Sequence, residues 1–82
     1  MRKTIIAGNW KMNHLGADAN ETITGLVNRV PKDVKPEVII APVFPYLAQA
    51  VELTKGTPIH IAAQNMHWEE KGAFTGEVSP AM

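Results

Sequence analysis

Three short apolar runs predict three β-strands. They occupy residues 4–7, 38–41 and 59–65. The second run is apolar at every position, which is typical of a buried parallel strand covered on both faces, and Pro42 ends it. The first run leads from buried positions to a polar end beginning at Gly8.

The segments between these strands have the spacing of amphipathic helices. In the first, apolar residues recur at intervals of three and four before Pro31 stops the helix: Ala19, Ile23, Leu26, Val27 and Val30. In the second, Pro45 is suited to the first turn and Gly56 to the end. Its predicted buried residues are Leu47, Ala50, Val51 and Leu53.

The order strand, helix, strand, helix, strand predicts a parallel α/β fold. Residues 1–82 show no internal domain boundary. Three parallel strands would have two open edges and only two helices to cover two faces, so we expect a truncated chain or one that associates with others. A flavodoxin-like ligand-binding module shares this order of elements, and only the spatial order of the strands distinguishes it from a barrel.

A long connection follows the third strand. Residues 66–77 contain two glycines and little periodic pattern, and loops of this length are usually functional or mobile. Ser79 and Pro80 then have the pattern of a helix N-cap followed by proline at the first helical position. The sequence therefore predicts a helix that begins at its last residues.

Composition narrows the function classes. The chain is 45% hydrophobic and 20% charged, with eight basic residues balancing eight acidic ones. This balance gives no reason to expect a nucleic-acid or membrane partner. The absence of cysteine excludes a disulfide framework and a thiolate metal site, and the apolar run after Arg2 and Lys3 is too short for a signal peptide. We expect a cytoplasmic protein.

Asn9 and Lys11 are the first candidates for chemistry. Alternation along a strand puts both side chains on one face, at the carboxyl end where parallel α/β folds bind their ligands. An ammonium beside an amide suits a small phosphorylated or oxyanionic substrate. From spacing alone, a solvated lysine with a turn-forming asparagine is the favoured explanation of the pair, because loops are rich in such residues.

The three histidines have structural interpretations. We expect His14 to lie in the first loop, His60 to be a satisfied residue of the third strand, and His67 to begin a solvated loop. The neighbouring Trp68, Glu69 and Glu70 match no known metal-ligand spacing, so no metal is predicted. No glycine-rich phosphate fingerprint follows the first strand, which disfavours a dinucleotide-binding domain.

Four motifs resemble those of one family. The run AGNWKMN at residues 7–13 is similar to the amino-terminal signature of triosephosphate isomerases. The run GAFTGEVSP at residues 72–80 is similar to that family's third-loop signature. The ends of the second and third strands, at residues 41–42 and 63–66, also resemble the family. The resemblance spans essentially the whole chain.

The resemblance implies a partial (β/α)₈ TIM barrel, comprising β1-α1-β2-α2-β3 and the long third loop. It implies interconversion of dihydroxyacetone phosphate and glyceraldehyde 3-phosphate in glycolysis and gluconeogenesis, without metal or organic cofactor. Asn9 and Lys11 match the family's substrate-contacting residues, with Lys11 in an electrostatic role. The carboxylate base and neutral histidine, a pairing for which this family is itself the standard example, belong to later segments, so the 82-residue chain alone should be inactive.

The resemblance also implies a homodimer. In the family the third loop enters a pocket beside the active site of the partner, near its asparagine and lysine, with the position of Thr75 at the tip. The implied interface residues are His14, Asn65, Phe74, Thr75, Gly76 and Glu77. The alternative function is a non-catalytic fragment whose strand edges and loop drive self-association or complement the missing part of the barrel.

Overall fold

The computed structural model describes residues 2–82 and contains a three-stranded parallel sheet with two α-helices. The strands are β1 (Ile5–Asn9), β2 (Glu37–Ala41) and β3 (Ile59–Ile61). The helices are α1 (Gly16–Arg29) and α2 (Leu47–Leu53), and a 3₁₀ turn, Phe44–Tyr46, precedes α2. The first residue of the predicted 1–82 domain lies outside the described residues.

The strands lie side by side in sequence order. β2 pairs in parallel with β1 on one side and with β3 on the other. A flavodoxin-like sheet would instead place β1 between the second and third strands. The order β1-β2-β3 therefore excludes that alternative and is the order found in a barrel.

Both helices pack on one face of the sheet. The core cluster joins Ile23 of α1 and Ala50 of α2 to Ile40 and Ile59 of the sheet. Trp10 packs against this cluster, as the alternation along β1 predicts for the face opposite Asn9 and Lys11. Burying each isoleucine contributes roughly 1.5–3 kcal/mol, so this small cluster anchors the whole arrangement.

The prediction that the first strand is buried is wrong. Every residue of β1 is exposed, and Ile5 and Ile6 are 54% and 58% exposed. The reason is that β1 is an edge strand and both helices contribute to a core on a single side of the sheet. A barrel has this asymmetry, because its helices all lie outside the sheet.

Several element boundaries differ from the predicted ones. Pro45 lies in the 3₁₀ turn rather than in the first turn of α2, and Val51 is 48% exposed rather than buried, because it faces away from the core cluster. β3 is shorter than the predicted 59–65 and ends at Ile61. One further hydrogen bond to β2 follows it, from the Ala62 N–H to the Ile40 carbonyl at 2.9 Å. Pro42 has no N–H with which the ladder could continue.

The long connection after β3 is closed at its base. The His67 N–H donates to the Val78 carbonyl at 2.8 Å, which brings the two ends of the loop together. A loop of this size with adjacent ends has the form of an Ω-loop. At Ser79 the chain makes a turn, with Met82 N–H donating to the Ser79 carbonyl at 3.1 Å, and the predicted helix has only this turn.

Within residues 2–82, no helix has the length and apolar character needed to cross a membrane.

Candidate functional site

The segment after β1 is held by its own polar side chains. Asn9 Oδ1 accepts a hydrogen bond of 2.9 Å from the backbone N–H of Lys11, and Asn13 Nδ2 donates to the Trp10 carbonyl at 2.7 Å. Lys11 has a φ of 55°, in the left-handed region that non-glycine residues seldom adopt. Residues held in this conformation cluster at functional sites, where the surrounding contacts impose it.

Gln64, which follows β3 at the other edge of the sheet, holds this segment in place. Its Nε2 donates to the Lys11 carbonyl at 2.9 Å and to the Ala41 carbonyl at 2.7 Å. One amide group therefore connects the region after β3 to the end of β2 and to the loop after β1. The resemblance includes this residue only as part of a motif, and no role for it was predicted. A polar side chain just past a parallel strand is the signal that could have identified it.

The ammonium of Lys11 is available to a ligand. Lys11 is exposed, and the ion pairs among residues 2–82 are Lys3 with Glu37 and Lys55 with Glu52, neither of which involves it. Because Asn9 Oδ1 is occupied by the Lys11 backbone, the amide NH₂ of Asn9 is the group left to donate to a ligand. The arrangement therefore presents one positive charge and one neutral donor at the carboxyl end of β1.

An open depression lies beside this segment. It has a volume of about 400 Å³, and its lining includes Met12, His14, Leu15 and Tyr46. Met12 and Leu15 are 93% and 73% exposed. His14 also has a positive φ, 71°, and its ring meets Trp10 edge to face at 4.8 Å. This part of the surface is consequently concave, with exposed apolar side chains beside the polar Asn13 and Asp18.

The long loop is ordered around an aromatic cluster. The ring of His67 stacks on Trp68 at 4.3 Å and contacts Phe74 at 4.4 Å. Gly72 has a φ of 145°, and a Cβ at this position would lie 2.6 Å from Cε2 of Phe74. Only glycine permits both this conformation and this close approach.

A tight turn at residues 74–77 comes directly after Gly72 and Ala73 in the chain. Glu77 N–H donates to the Phe74 carbonyl at 3.1 Å, so Thr75 and Gly76 are the two central residues. Gly76 has a φ of 85°, which the third position of a type II turn requires. Asn65, by contrast, lies near the start of the loop, where its Oδ1 accepts the Met66 N–H at 2.9 Å.

The predicted site residues thus form two groups. Asn9, Lys11 and His14 lie on the segment after β1, whereas residues 74–77 form the turn of the long loop. Among the described residues, no hydrogen bond joins Thr75 to Asn9 or to Lys11.

One expectation for the histidines is wrong. His60 is exposed rather than satisfied within the sheet, because its side chain lies on the face without helices. The loop that His67 begins is exposed as expected at Glu69 and Glu70, but the His67 side chain itself is only 8% exposed, because its ring packs against the aromatic rings of Trp68 and Phe74. Across residues 2–82, no three side chains of the metal-ligating types His, Cys, Asp and Glu are grouped to hold a metal ion.

The strands are parallel and lie in sequence order, the helices pack on one face, and polar side chains lie at the strand ends. These features define a segment of an α/β barrel, a class of fold in which ligands bind at the carboxyl ends of the strands. The family model described as "Triosephosphate isomerase" matches residues 4–82. The chain belongs to the triosephosphate isomerase family, and its fold is a partial TIM barrel.

Curated relatives agree with this assignment. The chain is 50% identical, over all of its 82 residues, to the triosephosphate isomerase of Caldanaerobacter subterraneus subsp. tengcongensis, of which it covers 33%. It is 54% identical over 81 residues, 99% of its length, to that of Acetivibrio thermocellus, of which it covers 32%. It is 48% identical to that of Flavobacterium psychrophilum, with 100% of the chain and 33% of the relative covered. The chain therefore spans about a third of the length of these relatives, at their amino-terminal end. Because the relatives are isomerases, the alternative of a non-catalytic self-associating module is not favoured.

Proposed function

We propose that this chain is the amino-terminal third of a triosephosphate isomerase that interconverts dihydroxyacetone phosphate and glyceraldehyde 3-phosphate, a step of glycolysis and gluconeogenesis. The observation that carries the proposal is the fixed position of Lys11. Its backbone is held at the carboxyl end of β1 by Asn9 and Gln64, and its ammonium has no ion-pair partner among residues 2–82.

Lys11 acts through charge. The reaction moves a proton between neighbouring carbons of the substrate by way of an enediolate, so negative charge develops on a substrate oxygen. A preorganised ammonium stabilises that charge, and it also attracts the substrate phosphate. The NH₂ group of Asn9, whose oxygen is already bound to the Lys11 backbone, donates to a substrate oxygen.

The proton transfers themselves belong to residues beyond this chain. A carboxylate base and a neutral histidine electrophile, the pair for which this family is the standard example, come from later segments. None of His14, His60 and His67 replaces that histidine: His67 is buried within the loop, and His60 is exposed on the strand. The isolated chain is therefore inactive, and the complete enzyme uses no cofactor or metal.

The long loop makes the enzyme a homodimer. The turn at Thr75 and Gly76 enters the partner beside its Lys11, with His14, Asn65, Phe74 and Glu77 in the same interface. Two features support this. Phe74 is 45% exposed next to the turn, and the open depression of about 400 Å³ beside Lys11 has exposed apolar side chains, Met12 and Leu15, in its lining. The enzyme is cytoplasmic, as the chain without cysteine suggests, and has no nucleic-acid or membrane partner.

A coupled isomerase assay tests the proposal. The full-length enzyme that contains these residues should turn over dihydroxyacetone phosphate, and the purified 82-residue chain should show only background activity. Activity of the isolated chain well above background would contradict the claim that the essential base and histidine lie elsewhere. An inactive full-length enzyme would refute the proposed reaction.

A further inference from the structure

The peptide group between Trp10 and Lys11 is hydrogen-bonded by a side chain at each end. Its N–H, which belongs to Lys11, donates to Asn9 Oδ1 at 2.9 Å. Its carbonyl, which belongs to Trp10, accepts from Asn13 Nδ2 at 2.7 Å. Because a peptide group is planar and rigid, hydrogen bonds at both of its polar atoms fix the orientation of the whole plane.

The peptide group on the other side of Lys11 is held as well. Gln64 Nε2 donates to the Lys11 carbonyl at 2.9 Å. The two peptide planes that meet at the Cα of Lys11 are related only by the rotations φ and ψ of this residue. Fixing both planes therefore fixes the direction of the Cα–Cβ bond, and with it the point from which the side chain that carries the ammonium leaves the backbone.

The backbone conformation that these hydrogen bonds hold is unfavourable for lysine. Lys11 has a φ of 55°, in the left-handed region where Cβ crowds the following carbonyl oxygen. A residue other than glycine keeps this conformation only while the surrounding contacts impose it. Loss of one of the contacts allows the Trp10–Lys11 peptide group to rotate, and the lysine side chain then moves with it.

The hydrogen bond of Asn13 differs from that of a helix cap, which is the usual role of an asparagine shortly before a helix. α1 begins at Gly16 and its N-cap residue is Leu15, and among the described residues no side chain donates or accepts a hydrogen bond at this cap. Asn13 bonds backward instead, to Trp10 at the end of β1. Its side chain is exposed, so it contributes through this hydrogen bond and not through packing in the core.

We propose that Asn13 is a positioning residue of the isomerase: its amide fixes the Trp10–Lys11 peptide group and thereby places the ammonium of Lys11 against the substrate. Asn13 itself does not touch the substrate. The inference rests on the proposed function, because it concerns where the charge of Lys11 lies during the reaction. A misplacement of about 1 Å can cost roughly 100-fold in rate, so one hydrogen bond outside the site is sufficient to affect turnover.

Kinetics of Asn13→Leu in two backgrounds test the proposal. In the full-length enzyme, leucine keeps a similar size but removes the donor, and kcat/KM should fall about 10- to 100-fold. In an enzyme that already carries Lys11→Ala, the same change should cost little more, because no ammonium remains to be placed. An equal loss in both backgrounds is the result of a purely structural role. That result, or near-normal turnover of Asn13→Leu, would overturn the proposal.

Two controls separate positioning from effects on folding and on dimerisation. Asn20→Leu removes another exposed asparagine, whose Oδ1 accepts from the Thr24 hydroxyl within α1, and it should keep the kcat/KM of the wild type. Asn13 also lines the open depression beside this segment, so sedimentation velocity should show that Asn13→Leu is still a dimer at the assay concentration. A loss of activity that higher enzyme concentration reverses would overturn the positioning role. Asn13→Ala repeats the measurement if leucine impairs folding.

A crystal structure of full-length Asn13→Leu tests the geometry independently of activity. Lys11 should no longer have a φ near 55°, and its ammonium should lie about 1 Å or more from the wild-type position. An unchanged Lys11 would contradict the proposal even in an active isomerase. If the wild-type enzyme showed no isomerase activity while Lys11 moved in the variant, the proposed reaction would be refuted and the hold of Asn13 on Lys11 would be supported.

Discussion

The side-chain amide of Gln64 donates a hydrogen bond of 2.9 Å to the backbone carbonyl of Lys11, a residue 53 positions earlier in the chain. The same nitrogen donates to the Ala41 carbonyl at 2.7 Å. One side chain therefore sets where the loop after β1 lies relative to the end of β2. Lys11 also has a left-handed backbone conformation. Because that conformation costs free energy for a residue other than glycine, surrounding contacts such as these are needed to hold it.

Replacing Gln64 should consequently impair both stability and turnover. Gln64→Leu removes both hydrogen bonds, and we expect a loss of about 1–2 kcal/mol in the free energy of unfolding together with a lower kcat. Denaturant titration and steady-state kinetics of the full-length enzyme would measure the two effects. Gln49→Leu is the matched control, because Gln49 Nε2 also donates to a carbonyl, that of Gly16 at 3.1 Å, away from Lys11. Equal kcat values for the two variants would argue against a positioning role for Gln64.

Removing the ammonium of Lys11 should abolish most turnover. For Lys11→Ala we expect kcat/KM to fall about 100-fold or more, because preorganised charge at the developing oxyanion is lost. Stability should change by no more than about 0.5 kcal/mol, since the side chain is exposed. Lys3→Ala removes a lysine that precedes β1 and pairs with Glu37, and it should retain activity. Near-normal turnover of Lys11→Ala would exclude the electrostatic role.

A charge at the turn of the long loop should weaken the dimer. Thr75→Arg would bury an unpaired guanidinium in the proposed interface, which is costly, and sedimentation velocity should then show more monomer at a given concentration. Thr24→Arg, on the exposed surface of α1, adds the same charge elsewhere and should leave the dimer intact. If both variants dimerise like the wild type, Thr75 does not lie in a subunit contact.

Two glycine substitutions should have opposite effects. Gly72→Ala places a Cβ 2.6 Å from the ring of Phe74 at a φ of 145°, so we expect a loss of about 1–3 kcal/mol in the free energy of unfolding. Gly25→Ala lies within α1 with no atom within 4 Å of the added Cβ, and it should stabilise the enzyme by roughly 0.5–1 kcal/mol. Thermal and denaturant unfolding would measure both. A neutral Gly72→Ala would mean that the loop repacks around Phe74.

Local pattern was sufficient for the order of elements. Apolar spacing placed α1 and all three strands, and alternation along β1 correctly put Trp10 against the core. These features depend on periodicity within one segment, which the sequence carries directly. The proposed roles of Asn9 and Lys11 came from the motif resemblance and from their place at a strand end.

The tertiary structure determined the features that involve contacts between residues distant in sequence or the burial of a surface. The strand order β1-β2-β3, the open face of β1 and the double hydrogen bond of Gln64 all depend on which strands become neighbours. The burial of His67 likewise depends on the loop closing at Val78 and bringing Phe74 onto its ring. Periodicity gives each segment its conformation, but only packing determines which atoms meet, because contact free energies are set by three-dimensional proximity rather than by position along the chain.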